Sequence, residues 1–578
     1  MLALLLAAVA TARSAAATTA PLNMVFEFVV SNPHTKAANR FADVTLNTTF
    51  RTARPVGVQG IYADTNTTTV QFWGFYDGGD TWRQRFMPTQ LGVWTYSWAF
   101  SDGSLKGEGH FECVSEGAGP GVLGVYKPNP HWFAYSDGTP KFIKSYYNKA
   151  GGLTRQDSAW TVEHFYSKLV ARGYNHHMNS GFLPVLPLSA LWDGQPFADG
   201  PEAINHTIYT DPKSPSTSMS LDVWAELEGQ LAYLNDHNVT VDFFQGFNAQ
   251  GPGAGDISWS AMSEDTKRWW VSYVIARLGA FANIGGFQYA WESDGSDVDT
   301  SKSNQTKCDH PQSRCGDYQL ALLLKETDPW NHMRTYEEEN ATLKNHNDLP
   351  AWSFASVEAL GEGDVRLCGC TNHSAPCNSE NCTGGSTQNH HDISLQGYRG
   401  KPVYMCEGHD LWRSWWHALE PNVVRAAWAV TTAAASFTWA DIGHFPDDPY
   451  SSEQLFSTYP SAAKAMDVHA HIMTEVLPAF YRTVPADNLI GQPAPPLTFC
   501  LAERGRQYLV YSDLGMPFYL DTLSPGSATE DLAEVQYDLT WFDAESGAKH
   551  AGGRHEAGFL HLTPPKTGNH WVAVIVRV

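Results

Sequence analysis

Basic residues are scarce in this chain: 38 Lys and Arg stand against 61 Asp and Glu, a formal net charge of −23, which argues against nucleic acid and anionic membrane surfaces as partners. No segment after the N-terminus reaches the roughly 18 uninterrupted apolar residues that a membrane-spanning helix needs, so no span is expected. Cysteine is sparse. Six of the nine fall in two hydrophilic stretches, Cys308 with Cys315 and then Cys368, Cys370, Cys377 and Cys382, leaving Cys113, Cys406 and Cys500 apart. The second stretch has C-x-C-x6-C-x4-C spacing, which fits no common zinc motif, so disulfides stapling long insertions are the expectation there and metal is not. An odd total leaves at least one thiol free. Internal repeats and low-complexity tracts are absent as well.

What the chain has in abundance is aromatic surface: 13% aromatic residues, with 21 Trp and 24 Tyr. Flat amphipathic rings stack on pyranose faces, and they also fill β-sandwich cores; both uses are open at this point. The first 17 residues read as a secretory signal, with an apolar run from Leu2 to Val9 and small residues Ala15-Ala16-Ala17 for cleavage, although no basic flank precedes the run. Eight Asn-x-Ser/Thr sequons, at Asn47, Asn66, Asn205, Asn238, Asn304, Asn340, Asn372 and Asn381, fit a glycosylated extracellular protein.

A chain of 578 residues is too long for one core, and its rhythm changes twice. Residues 21–115 alternate apolar and polar positions in short runs such as Val25–Val30, Asp43–Leu46, Thr69–Trp73 and Gly92–Trp98, the pattern of a β-sandwich. Residues 125–482 alternate strands with amphipathic helices. The strands expected are Lys141–Tyr147, Asn175–Asn179, Val239–Phe244, Phe287–Glu292, Met333–Tyr336, Trp352–Phe354, Pro402–Glu407 and Ala433–Trp439. Eight strands with intervening helices predict a central (β/α)8 TIM barrel. Residues 485–578 return to β runs, Tyr508–Tyr511, Asp538–Phe542, Phe559–Leu562 and Trp571–Val576, so a second sandwich closes a multidomain chain.

Two barrel strands are expected to end on a glutamate, Glu292 and Glu407. A carboxylate at the end of a buried strand is costly unless paired or used. Glycoside hydrolysis uses such a pair, one acid to protonate the leaving oxygen and one carboxylate to attack the anomeric carbon or to activate water. Strands four and seven bring both groups to the C-terminal rim of a barrel, although 115 residues separate them in sequence. The alternative account for either is a loop salt bridge. His176-His177 invites a metal reading, but successive strand residues face opposite ways and cannot both reach one ion. Glu337-Glu338-Glu339 reads as a solvated face, with Glu337 a reserve candidate. Asp441, Asp447 and Asp448 match no calcium loop.

The segment Gly74-Phe75-Tyr76-Asp77-Gly78-Gly79, Thr81 to Pro88 and Gly92 to Tyr96 resembles the N-terminal β-sandwich known as DUF5060. The central part, with a Lys401-Pro402 strand ending in Glu407 followed by a helix and an Ala-rich strand at Ala427 to Trp439, resembles a clan A glycoside hydrolase barrel of the apiosidase-like (DUF4038) kind. Trp541 to Gly547, Thr563-Pro564-Pro565 and Asn569 to Val572 are similar to the C-terminal sandwich that carries a collagen-binding label in such enzymes. The resemblance implies Glu292 as acid/base, Glu407 as nucleophile and a retaining mechanism on a polysaccharide or oligosaccharide, with no cofactor and no metal. Asn179, Gln245, Trp291, Tyr336, His409 and Trp439 are the substrate-binding candidates; a turn-forming role accounts equally for Asn179. The chain departs from clan A in one place, carrying Trp291-Glu292 where Asn-Glu is usual. A non-catalytic carbohydrate-binding or cell-surface protein on a degenerate barrel is therefore the alternative, and a polysaccharide lyase the third reading.

Overall fold

The computed structural model describes residues 18–52, 69–148, 162–180, 208–209, 211, 213–244, 262–288, 315–335, 337–339, 351–358, 379–407, 420–441, 456–457, 459–523 and 535–578. They form two compact units, Met1–Gly121 and Val122–Val578. The first unit is a sandwich of a five-stranded and a three-stranded sheet. Aromatic pairs bridge the two sheets, with Phe26 on Phe111 at 4.0 Å and Phe50 on Phe86 at 3.9 Å between ring centres. The run expected at Asp43–Leu46 is the approach to a longer strand, Leu46–Thr52, whose alternate residues Leu46, Thr48, Phe50 and Thr52 are buried.

The second unit is built around eight parallel strands: β1 (Ser145–Asn148), β2 (His176–Ser180), β3 (Thr240–Phe244), β4 (Ile284–Gln288), β5 (Arg334–Thr335 and Glu337–Glu339), β6 (Ala355–Glu358), β7 (Val403–Glu407) and β8 (Ser436–Asp441). Each pairs with the next, β8 pairs back to β1, and β5 pairs with β4 through its first piece and with β6 through its second. The ring is the expected barrel.

Helices α1 (Ser167–Ala171), α2 (Leu221–Asp236), α3 (Glu264–Leu278), α4 (Cys315–Thr327), α5 (Ser379–Gly397), α6 (Glu420–Thr432) and α7 (Pro460–His471) accompany the strands. Helix α2 buries Val223, Leu227, Leu231 and Leu234, one face at helical spacing. Helix α3 starts where the Ser263 hydroxyl accepts a hydrogen bond from the Thr266 amide, with Glu264 and Asp265 in the first turn against the helix dipole. None of the described helices is long and apolar enough to cross a membrane.

Two sequence expectations shift here. Residues Ala427–Thr432 belong to α6 rather than to an Ala-rich strand, because Trp428 and Val424 face the C-terminal sheet and need a helical period to do so. Strand β4 starts at Ile284, three residues earlier than expected, and so includes Gly285 and Gly286. Neither glycine has a positive φ, so their role is space. A Cβ on Gly285 would lie 2.9 Å from the His176 ring, and one on Gly286 would lie 3.0 Å from Phe354 and 3.1 Å from the Asp242 carboxylate. Gly285→Ala is therefore expected to destabilise the protein by about 1–3 kcal/mol, the range for overpacking a tight core. Denaturant unfolding that leaves the midpoint unchanged would refute that close approach.

The N-terminal end of the barrel is closed by a small sheet of Leu123–Val125, Phe133–Tyr135 and Pro140–Lys141, whose Leu123 and Phe133 join Ile143, Met333 and Phe354 in one apolar cluster. Beyond β8, a six-stranded sheet from Val484 and a two-stranded sheet, Phe518–Asp521 with Phe559–Leu562, make up the C-terminal β region. It shares a core with the barrel: Trp428 of α6 packs with Leu501, Leu509, Tyr511 and Val572. Arg425 of α6 also reaches Asp513 at 3.2 Å, a buried carboxylate that accepts from Tyr511 Oη at 2.7 Å.

Candidate active site at the strand ends

The register of the parallel strands decides which residues meet at the C-terminal rim. Glu339, Glu358 and Glu407 are Cα partners across β5, β6 and β7, and each is the last residue of its strand. Strand β8 ends on Asp441, which is partnered with Asn148 of β1. Four consecutive strands thus finish on an acid, with neighbouring backbones about 4.8 Å apart. Of these four, Glu407 was expected, Asp441 had been named only to set a calcium loop aside, and Glu339 and Glu358 were not placed at the rim by sequence reasoning. Glu337–Glu339 is a barrel strand. Glu358 was missed because the sixth strand was set at Trp352–Phe354; the run Ala355-Ser356-Val357-Glu358, apolar and ending on an acid like Val403–Glu407, was the available signal.

Two strands carry a register break. Between β3 and β4 the pairing jumps from Val241 with Ile284 to Asp242 with Gly286, leaving Gly285 extra. Between β6 and β7 it jumps from Val357 with Met405 to Glu358 with Glu407, leaving Cys406 extra. A bulge bends its strand and re-aims the residues after it, and such bulges favour the neighbourhood of active sites. Here they fall on the two strands for which catalytic glutamates were expected. Cys406 donates its thiol to the Val357 carbonyl at 3.2 Å. Cys113, Cys406 and Cys500 are all buried, and none of the three is in a disulfide.

The remaining expected residues divide sharply. Glu292, Gln245, Trp291, Tyr336 and His409 lie outside the described residues, as do residues 1–17 and Cys308, Cys368, Cys370 and Cys377. Asn179 lies in β2, its backbone paired with Asn148 and Phe243 near the rim. Trp439 is fully buried in β8, edge-on to Tyr146 at 6.1 Å and tilted against Phe456 at 6.5 Å. Packing of the barrel wall accounts for that position, with no exposed ring face for a sugar. Trp439→Phe is expected to lower stability by about 1–3 kcal/mol through the void it leaves, with KM unchanged; a KM raised tenfold with stability intact would return the residue to substrate binding.

Below the rim the barrel interior is polar and pushed toward neutrality. Lys141 Nζ donates to the Asn175 carbonyl at 2.8 Å and to Thr240 Oγ1 at 2.6 Å, and burial drives its pKa well down. Thr240 Oγ1 also meets His176 Nδ1 at 2.7 Å, and burial again, then the charge of Lys141, lowers the imidazole's pKa. His177 faces the other way, against Phe165 and Tyr166, as strand alternation requires. Tyr404 Oη and Ser145 Oγ share a hydrogen bond of 2.7 Å. Asp242 is buried, and desolvation pushes its carboxyl up to about 8. Among the described residues no group of three or more His, Cys, Asp or Glu could hold a metal ion.

Comparison with known proteins adds to this geometry. The chain shares the fold of solved glycoside hydrolases. A Bacteroides vulgatus ATCC 8482 protein assigned as a glycoside hydrolase superposes with a TM-score of 0.67 at 17% identity, over 97% of this chain and 100% of its own. A family 5 glycoside hydrolase from the same organism gives 0.54 at 14% identity, over 79% and 94%. A further structure named as a glycoside hydrolase gives 0.55 at 15% identity, over 79% and 97%. Residues 23–101 match the family described as a domain of unknown function, DUF5060. No curated protein matches the chain by sequence. At such identities the likeness speaks for the fold and not for the chemistry.

Proposed function

We propose that this protein is a secreted glycoside hydrolase that cleaves a polysaccharide or oligosaccharide by a retaining mechanism, with Glu407 as nucleophile and Glu292 as acid/base. The observation that carries the reading is Glu407 as the last residue of β7, directly after a bulge and in register with Glu358 and Glu339 at the barrel rim. Glycosidic cleavage needs one carboxyl group protonated while another stays ionised, and two acids in different surroundings can divide those roles. In the first step Glu407 attacks the anomeric carbon as Glu292 protonates the departing oxygen; in the second, Glu292 takes a proton from the water that displaces Glu407. The apiosidase-like assignment of the barrel and the collagen-binding label of the C-terminal region belong to this proposal and add no substrate to it. Secretion rests on the signal-like first 17 residues and on the sequons, of which Asn47 and Asn238 are exposed.

The second reading is a carbohydrate-binding protein on a barrel that has lost catalysis, and Trp291-Glu292 in place of Asn-Glu is what favours it. A panel of plant, algal and microbial polysaccharides, assayed for reducing ends, separates the two. Sugar release supports the hydrolase. Binding without release supports the second reading, and an ultraviolet-absorbing unsaturated product would point to a lyase instead.

A further inference from the structure

Asp242 is the acid in this barrel that the proposed chemistry does not use, and its surroundings are unusual. It is an inward residue of β3, two positions after Thr240 and two before the strand's end, level with Met178 of β2 and Gly286 of β4. Its side chain is buried, and neither carboxyl oxygen has a hydrogen-bond partner. One oxygen lies 3.1 Å from the point a Cβ of Gly286 would occupy, so strand four gives up side chains at its bulge where this carboxyl group and the His176 ring press against it. The titratable groups inside the barrel on its level and below come from β1, β2 and β7 and from the segment before β1; the paired strand β4 contributes none. His176 stands on β2 with its Nε2 unpartnered, Lys141 lies below β1, Tyr147 is on β1, and Tyr404 and Cys406 are on β7. The two basic groups are tied to Thr240, and neither forms an ion pair with Asp242.

An unpaired acid in a closed core is a cost that packing would remove, since an apolar residue of similar size would be tolerated better. We infer that Asp242 is a positioning residue of the rim site, a carboxyl group held neutral beneath β4 and β7 whose ionisation loosens the strands that carry the catalytic acids. The inference rests on the glycosidase reading for what is positioned, and on the barrel interior alone for the state of Asp242. As a neutral acid it lies against strand four and beside Tyr404, whose hydrogen bond to Ser145 ties β7 to β1. Once ionised it has no cation to pair with and must draw in water. The adjacent bulges at Gly285 and Cys406 are where the pairing of β4 and β7 is already interrupted. Burial places that ionisation near pH 8.

The test has two arms. In infrared difference spectra of the full chain between pH 6 and 10, wild type should lose a protonated-carboxyl band with a midpoint near 8 that Asp242→Asn lacks. In wild type alone, hydrogen exchange of the Ile284–Gln288 and Val403–Glu407 amides, corrected for intrinsic rates, should accelerate through the same midpoint. On any glycan the panel identifies, kcat of wild type should fall about tenfold above that midpoint with KM little changed, and Asp242→Asn should move this alkaline limb up by a unit or more. A protonated-carboxyl band at pH 6 that is the same in wild type and Asp242→Asn overturns the neutral state. Exchange that does not change, or an identical alkaline limb in both proteins, overturns the positioning role. Absence of activity on every glycan overturns the glycosidase reading, while the infrared and exchange results still decide the state of Asp242.

Discussion

Glu407→Gln is expected to lower sugar release by at least about a thousandfold while leaving glycan affinity within a few-fold of wild type. The amide has nearly the shape and volume of the carboxyl group but cannot attack the anomeric carbon, so the loss falls on kcat. A thousandfold corresponds to about 4 kcal/mol of transition-state stabilisation. The fold should survive, because the substitution sits at the end of β7 and leaves the strand's backbone pairing with β6 intact. Truncation separates the roles of nucleophile and acid for this residue. With Glu407→Ala, azide can enter the vacated space, attack the anomeric carbon in place of the carboxylate, and release a glycosyl azide of inverted configuration; that product identifies the nucleophile. A Glu407→Gln protein with wild-type turnover would remove Glu407 from the mechanism and leave Glu339 and Glu358 as the rim acids to examine.

Asp242→Asn carries the second large effect, and its sign runs against the usual consequence of changing a buried residue. The folded-state pKa of about 8 lies above the ordinary carboxylate value of 3.8, so between those pH values the folded chain keeps a proton that the unfolded chain has released. Stability from this group is complete below about pH 4 and is lost as pH rises through about 8. Each unit of that window is worth about 1.4 kcal/mol, so by pH 8 the wild type should have given up on the order of 4–5 kcal/mol relative to an amide at the same place. Denaturant unfolding of the two proteins should give nearly equal stabilities at pH 4 and a gap that widens in favour of Asp242→Asn up to pH 8. Taking the difference cancels the contributions of Lys141 and His176, which both proteins share. A gap that stays flat with pH would mean that the carboxyl group is ionised in the folded protein. A residue kept at such a cost to stability is the kind expected where activity has set the choice.

The barrel and its strand order were legible in the amino-acid sequence because burial on both faces leaves near-continuous apolar runs, such as Val403–Cys406, separated by helices with a clear stripe like Val223, Leu227, Leu231 and Leu234. Glu407 was legible because an acid at the end of such a run is costly to desolvate and so stands out from the apolar residues before it. Element edges were less so. The strand at Ala355–Glu358 was displaced onto the aromatic run before it, and Glu337–Glu339 was not read as a strand, since a short run of glutamates carries no apolar period. Trp439 looked like a sugar platform because sequence registers an aromatic ring but not which side of a strand it occupies.

Composition and periodicity, both local properties, settled by themselves that the chain is acidic, rich in aromatics and built from sandwich, barrel and β-rich parts. Register is not local. Only the closed ring of strands put Glu339, Glu358 and Glu407 side by side, placed the bulges at Gly285 and Cys406, and enclosed Asp242 without a partner, because each depends on how residues tens to hundreds of positions apart align across neighbouring strands.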